Sequence, residues 1–243
     1  MENTLKFLFG IIIVLVFISS YFVLTLKTQV SVTEGEPEKK EIEFHGISMN
    51  VPAVDENGNG VTTKLLVESK PGKGGTLVDV NQLLFWVDTQ NSIRIAKSVA
   101  QEYTGMDLSN VDLIYSVETN ASVIGGPSAG AALTIATISV LENDTLNPDV
   151  MITGTISSDG SIGPVGEILA KAKAAKDIGA ATFLVPDGQS IQTYYTPIET
   201  CKKYGPMTYC TTEYEAETVD VSKDAGIDVE EVSNIGEALE YFF

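Results

Sequence analysis

Residues 7–26 read FLFGIIIVLVFISSYFVLTL, twenty positions without a charge, bracketed by Lys6 and Lys27. Buried helices of globular domains usually keep a polar face, and this run has none. At about 1.5 Å per residue a helix of this length spans roughly the 30 Å hydrocarbon core of a bilayer. A cleaved signal peptide is the rival reading, but its apolar stretch is shorter and is followed by small residues of the A-x-A kind. Here residues 23–29 read VLTLKTQ. The expectation is an uncleaved single-pass transmembrane anchor over residues 1–27.

Residues 28–43, TQVSVTEGEPEKKEIE, are polar and carry no apolar periodicity, which marks a flexible tether. From Phe44 to Phe243 the composition suits one packed domain. Thirty-three acidic against fifteen basic residues give a formal charge of −18. Such a field repels phosphate backbones, so nucleic acid is not an expected partner.

Lysines at both ends of the apolar run leave its orientation open under the positive-inside rule. The chain has two cysteines, Cys201 and Cys210, in CKKYGPMTYC, which reads as a loop. A pair this close is bridged where the turn allows, and disulfides persist outside the cytosol. The alternative is two free, buried thiols. Asn120-Ala-Ser122 and Asn143-Asp-Thr145 match the glycosylation acceptor pattern. Together these features place the domain outside the cytoplasm.

Short β-branched runs come first, as in GVTTKLLVES (residues 60–69) ahead of the turn PGKGG (71–75). Residues 92–103 form an amphipathic helix stopped by Gly105, residues 111–118 a strand, 129–141 an apolar helix and 150–156 a buried strand. Residues 165–178 read as a helix ending at Gly179, residues 182–185 and 229–232 as strands, and 234–241 as a final helix. The fold class expected is α+β, in two or three layers.

Gly125-Gly-Pro-Ser-Ala-Gly130 lies between a strand and the apolar helix. Its glycines permit a sharp turn and close backbone approach, and Pro127 stiffens the lead-in to Ser128. A helix starting after Ser128 would direct unpaired N–H groups, those of Ser128 and Ala129, towards an oxyanion. The plainer reading makes Ser128 an ordinary N-cap. No lysine follows in the G-x-x-x-x-G-K-[ST] pattern, and PGKGGT (71–76) fails it too, so no nucleotide site is expected.

The only histidine, His45, sits beside the tether, which argues against a Ser-His-Asp triad. Lysine replaces histidine as a base when burial keeps its amine neutral. Of Lys171, Lys173 and Lys176, only Lys171 has apolar neighbours along one stripe, namely Ile168, Ala175 and Ile178. Lys171 is therefore the candidate base for Ser128.

At this point the residues resemble the proteolytic domain of Lon peptidases. GPSAG (126–130) is similar to the segment around that family's nucleophile, and VMITGTISSDGSIGPVGEILAKAKAAKDIGAATFLVP (150–186) to its run through the catalytic-lysine helix. The separation of Ser128 and Lys171, 171 − 128 = 43 positions, is the family's spacing. The closing segment resembles residues 227–242, after an insertion that holds both cysteines. Gly125 stands where many bacterial members carry Asp, and LIYSVE (113–118) replaces a histidine-rich strand.

The resemblance implies a Lon proteolytic-domain fold behind an N-terminal transmembrane helix, with Ser128 as nucleophile and Lys171 as base. It also implies that Thr153 hydrogen-bonds the lysine, and that the domain forms a homo-oligomeric ring, with six the expected number of copies. No AAA+ module fits between Lys27 and Phe44, so the expectation is ATP-independent cleavage of unfolded or flexible polypeptides without a cofactor. Two alternatives stay open: a Lon-fold binding or assembly module with a weak site, and a Ser–Lys hydrolase acting on non-peptide amides or esters.

Overall fold

The computed structural model describes residues 44–79, 87–118 and 126–243. The apolar run 7–26, the tether, Asn120, Ser122 and Gly125 lie outside the described residues. Among the described residues no helix is long and apolar enough to cross a membrane.

Four strands build the first sheet. β1 (His45–Val54) and β2 (Gly60–Pro71) form a hairpin, β4 (Val111–Glu118) pairs antiparallel with β2, and β3 (Thr76–Val78) runs parallel to β4. Asp55 closes the β1–β2 turn by accepting from the Asn57 and Asn59 N–H groups. The PGKGG segment is a turn held by two side chains. Asp112 accepts from the Lys73 and Gly75 N–H groups, and Lys97 donates to the Gly74 carbonyl at 2.7 Å. These bonds give its glycines a structural purpose.

Helix α1 (Val87–Thr104) and helix α2 (Gly130–Glu142) cover this sheet. α1 starts five residues before the expected boundary, because its first turn is exposed and shows no apolar period. Every residue of α2 from Gly130 to Leu141 is buried. Three parallel strands then form a second sheet, in the order β11 (Asp228–Val232), β8 (Thr182–Pro186), β5 (Val150–Ile152). Residues of β5 and β8 alternate across it, as period-two strands must. Ile152 and Leu184 join the large core with α1, α2 and the C-terminal helix α5 (Ile235–Phe242). Met151, Phe183 and Val185 face a second, smaller core with α3 (Ile168–Asp177) and α4 (Val221–Ala225). The fold is a mixed α/β arrangement of layers, matching the expected class.

The segment 201–210 corrects an expectation. It is no loop but the distal part of a long hairpin, β9 (Ile191–Tyr204) and β10 (Met207–Asp220), which stands out from the body with nearly every residue exposed. Its threonines, tyrosines and isoleucines favour extended backbone, but with both faces in water it lacks the one-sided apolar alternation that signals a strand. Cys201 and Cys210 sit directly opposite each other and form a disulfide. They are exposed and bridged, so the alternative of free, buried thiols does not hold.

Candidate active site

Ser128 lies in a single 3-10 turn, Pro127–Ala129, which precedes α2. Gly126 enters it at φ +119°, a conformation open to glycine and rarely to other residues. The capping reading of Ser128 fails here. The α2 N-cap position belongs to Ala129, and the Ser128 side chain makes no cap bond to either helix. By the i→i+3 pattern of such a turn, the Gly126 carbonyl takes the Ala129 N–H. Pro127 has no N–H, and the Ser128 N–H makes no backbone bond within the turn among the described residues.

The backbone of Ser128 is tied to the junction between β5 and β6 (Thr155–Ile156). Its carbonyl accepts from the Gly154 N–H at 2.9 Å and from the Thr153 hydroxyl at 3.3 Å. Ala131 returns a bond to the Gly154 carbonyl. The two segments approach so closely that a Cβ on Gly130 would stand 2.7 Å from the Ile156 backbone nitrogen. From the other side, the Thr89 hydroxyl on α1 reaches the Gly126 carbonyl at 3.4 Å.

Thr153 is fully buried in the break between β5 and β6, so it is not an ordinary strand residue. Its hydroxyl donates to the Ser128 carbonyl, a different partner from the lysine expected by resemblance. A hydroxyl that donates keeps lone pairs for accepting.

Lys171 comes from α3, which begins at Ile168 and not at Val165. Residues 164–167 stay irregular, and Glu167 takes a left-handed conformation, φ +57°, as N-cap. α3 packs across the start of β2, where any side chain at Gly60 would overlap the Ala170 carbonyl. The result is one buried lysine, Lys171 at 3% exposure, while Lys173 and Lys176 are exposed. Burial pulls the Lys171 pKa down to about 8, opposed by the negative charge of Glu167 one turn earlier.

Ser128 and Lys171 line the same cavity of about 60 Å³, whose walls include Val51, Ala53, Leu65, Val117 and Leu133. Such walls exclude water and hold the local dielectric low, which favours the neutral amine. His45 is half-buried on edge strand β1 and takes no part in that cavity.

Gln189 escaped the sequence reading. Its side-chain oxygen accepts from the Val165 N–H at 2.9 Å, and its amide donates to the Val165 carbonyl at 2.8 Å. This double bond-pair clamps the irregular segment that launches α3. A glutamine after the Pro186-Asp-Gly188 turn carries no local signal of a partner 24 positions back.

Residues 65–203 match the family model of the Lon protease (S16) C-terminal proteolytic domain. The chain belongs to that family. The Lon protease of Fervidobacterium nodosum is 31% identical over 172 residues, covering 68% of this chain and 21% of its own length. The archaeal Lon protease of Methanocaldococcus jannaschii is 24% identical over 182 residues, covering 68% and 27%. That of Thermoplasma volcanium is 34% identical over 90 residues, covering 37% and 14%. The chain thus spans about a quarter or less of these relatives.

Proposed function

We propose that this protein is a serine endopeptidase working through a Ser128–Lys171 dyad. The observation that carries the reading is the one buried lysine among the described residues, with its pKa held near 8, in the apolar cavity that also takes in the family-motif serine. Neutral Lys171 accepts the proton of the Ser128 hydroxyl as its oxygen attacks a peptide carbonyl. The N–H groups of Ser128 and Ala129 stabilise the oxyanion in this scheme. Lysine then returns the proton to the leaving amine, and water, deprotonated by the same amine, releases the acyl group.

Thr153 acts by fixing the Ser128 main chain and, through its lone pairs, by orienting the lysine. The substrates in this reading are unfolded or flexible polypeptides, cleaved without ATP. Residues 7–26 serve as a membrane anchor. A disulfide-bearing domain belongs on the extracytoplasmic side, and a ring of copies is the assembly that the family resemblance implies. The test is ATP-free digestion of an unfolded protein by the full chain in detergent, with Ser128→Ala alongside. Equal cleavage by both would sink the dyad.

Gln189 is a positioning residue in this scheme. Gln189→Ala should lower kcat about tenfold with little change in KM, because a small misplacement of the base costs the chemical step. Its pH profile should also move as Lys171 rehydrates, and Gln189→Glu, which keeps one of the two bonds, should fall between. A variant with reduced kcat but an unmoved pH profile would assign Gln189 to stability alone.

A further inference from the structure

The β9–β10 hairpin leaves long, open edges in water, an arrangement that soluble proteins usually blunt or cover. An isolated two-stranded ribbon is also marginal on its own. Its pairing sorts the side chains onto two faces. Tyr204 opposes Met207 and Lys202 opposes Tyr209, so these four share one face at the tip. All are exposed, Met207 at 72% and both tyrosines above 60%. Further down the same face, Glu213, Glu215 and Glu217 follow at alternate positions.

At the foot of that face Tyr194 and Glu217 open onto a groove of about 630 Å³. Its other walls bring the carboxylates of Glu167 and Asp177 from α3 and of Asp224 from α4, against the one amine of Lys173. One end of the face is therefore aromatic and basic, and the other is concave and acidic. The tip cannot reach its own groove: ten residues of extended strand separate Tyr204 from Tyr194, roughly 33 Å.

We infer that this arm pairs with the arm of a second copy of the chain, face to face and antiparallel, each tip seated in the groove at the other's foot. Because tip and groove lie on one face in opposite order, a two-fold axis satisfies both contacts at once, as a self-complementary interface requires. Hairpin faces some 45 Å long, together with the seated tips, bury on the order of 1,000 Å², near the lower bound for a specific contact. The pairing also answers the −18 charge of each copy. Copies that repel at long range meet where Lys202 faces carboxylates. The inference does not depend on the peptidase reading.

Charge reversal provides the test, read as the dissociation constant of the full chain in detergent by analytical ultracentrifugation. Lys202→Glu sets carboxylate against carboxylate in both halves of the pair, and Glu217→Lys sets amine against amine. Each variant alone should self-associate about tenfold more weakly or worse. Mixed one to one, the two variants oppose Glu to Lys in one half and keep the natural pair in the other, so affinity should return to within about threefold of the parent. A photo-crosslinking residue in place of Tyr209 should attach to the partner near Tyr194. Single variants that associate like the parent, or a mixture no tighter than its components, would overturn the pairing. Crosslinks found only to lipid would instead assign the tip to the bilayer surface and overturn it as well.

Discussion

Lys171→Arg is expected to leave a folded protein with peptidase activity reduced about 10³-fold or more. Arginine reaches a similar distance but does not give up its proton, so it supplies charge without a base. The parent should show the complementary behaviour. With the Lys171 pKa at about 8, the active neutral amine is the minor form at pH 6 and the major form at pH 9. Activity should climb close to tenfold per pH unit below pH 7 and level off above pH 9. Cleavage of an unfolded protein, followed across that range for both chains, checks the two statements together. An active arginine variant, or a parent whose rate is flat from pH 6 to 9, would remove Lys171 from the role of base.

The second large effect concerns stability, where removing the Lys171 amine should stabilise the fold while abolishing activity. A lysine whose folded pKa lies at about 8 and whose unfolded value is near 10.5 binds protons more readily in the unfolded chain. Between those two values the unfolded state holds more protons, so stability should rise with pH across that window. Below pH 8 the full cost of burying the ammonium applies, about 3 kcal/mol from a shift of this size. Lys171→Met keeps the length and removes the charge. It should be inactive and about 2–3 kcal/mol more stable than the parent at pH 7, with the gap closing as the pH nears 10.5. Chemical denaturation at pH 7 and pH 10 measures this, and equal stabilities at pH 7 would mean that the amine escapes to water.

How much of this was legible in the sequence depended on whether the signal was local. The choice of Lys171 over Lys173 and Lys176 needed only the spacing of Ile168 and Ala175, and burial divides the three lysines along that line. The turn at Gly126-Pro127 was equally plain, because glycine and proline announce backbone geometry directly. Neighbours in space but not in sequence stayed hidden. Thr153 finds the Ser128 carbonyl 25 positions away, and Gln189 finds Val165 24 positions back, with no periodicity to betray either contact. The β9–β10 arm was missed for a different reason: a ribbon wet on both faces has no hydrophobic pattern to read. Glu167 was a surprise of backbone, since nothing about glutamate announces a positive φ.

The division into two cores bears on how the molecule comes apart. Ser128 is tied to elements of the large core, whereas Lys171 rides on a ten-residue helix whose own core includes four alanines, Ala172, Ala175, Ala180 and the partly buried Ala225. Alanine contributes the least apolar surface of any core side chain, so that layer has the least to lose on opening. Local opening of α3 and α4 is therefore expected to precede global unfolding. Amide hydrogens of α3 should exchange ahead of those in α2, and warming should abolish the proposed peptidase activity while most of the secondary structure persists. That step should reverse on cooling, because the large core remains as the template on which the lysine helix reseats.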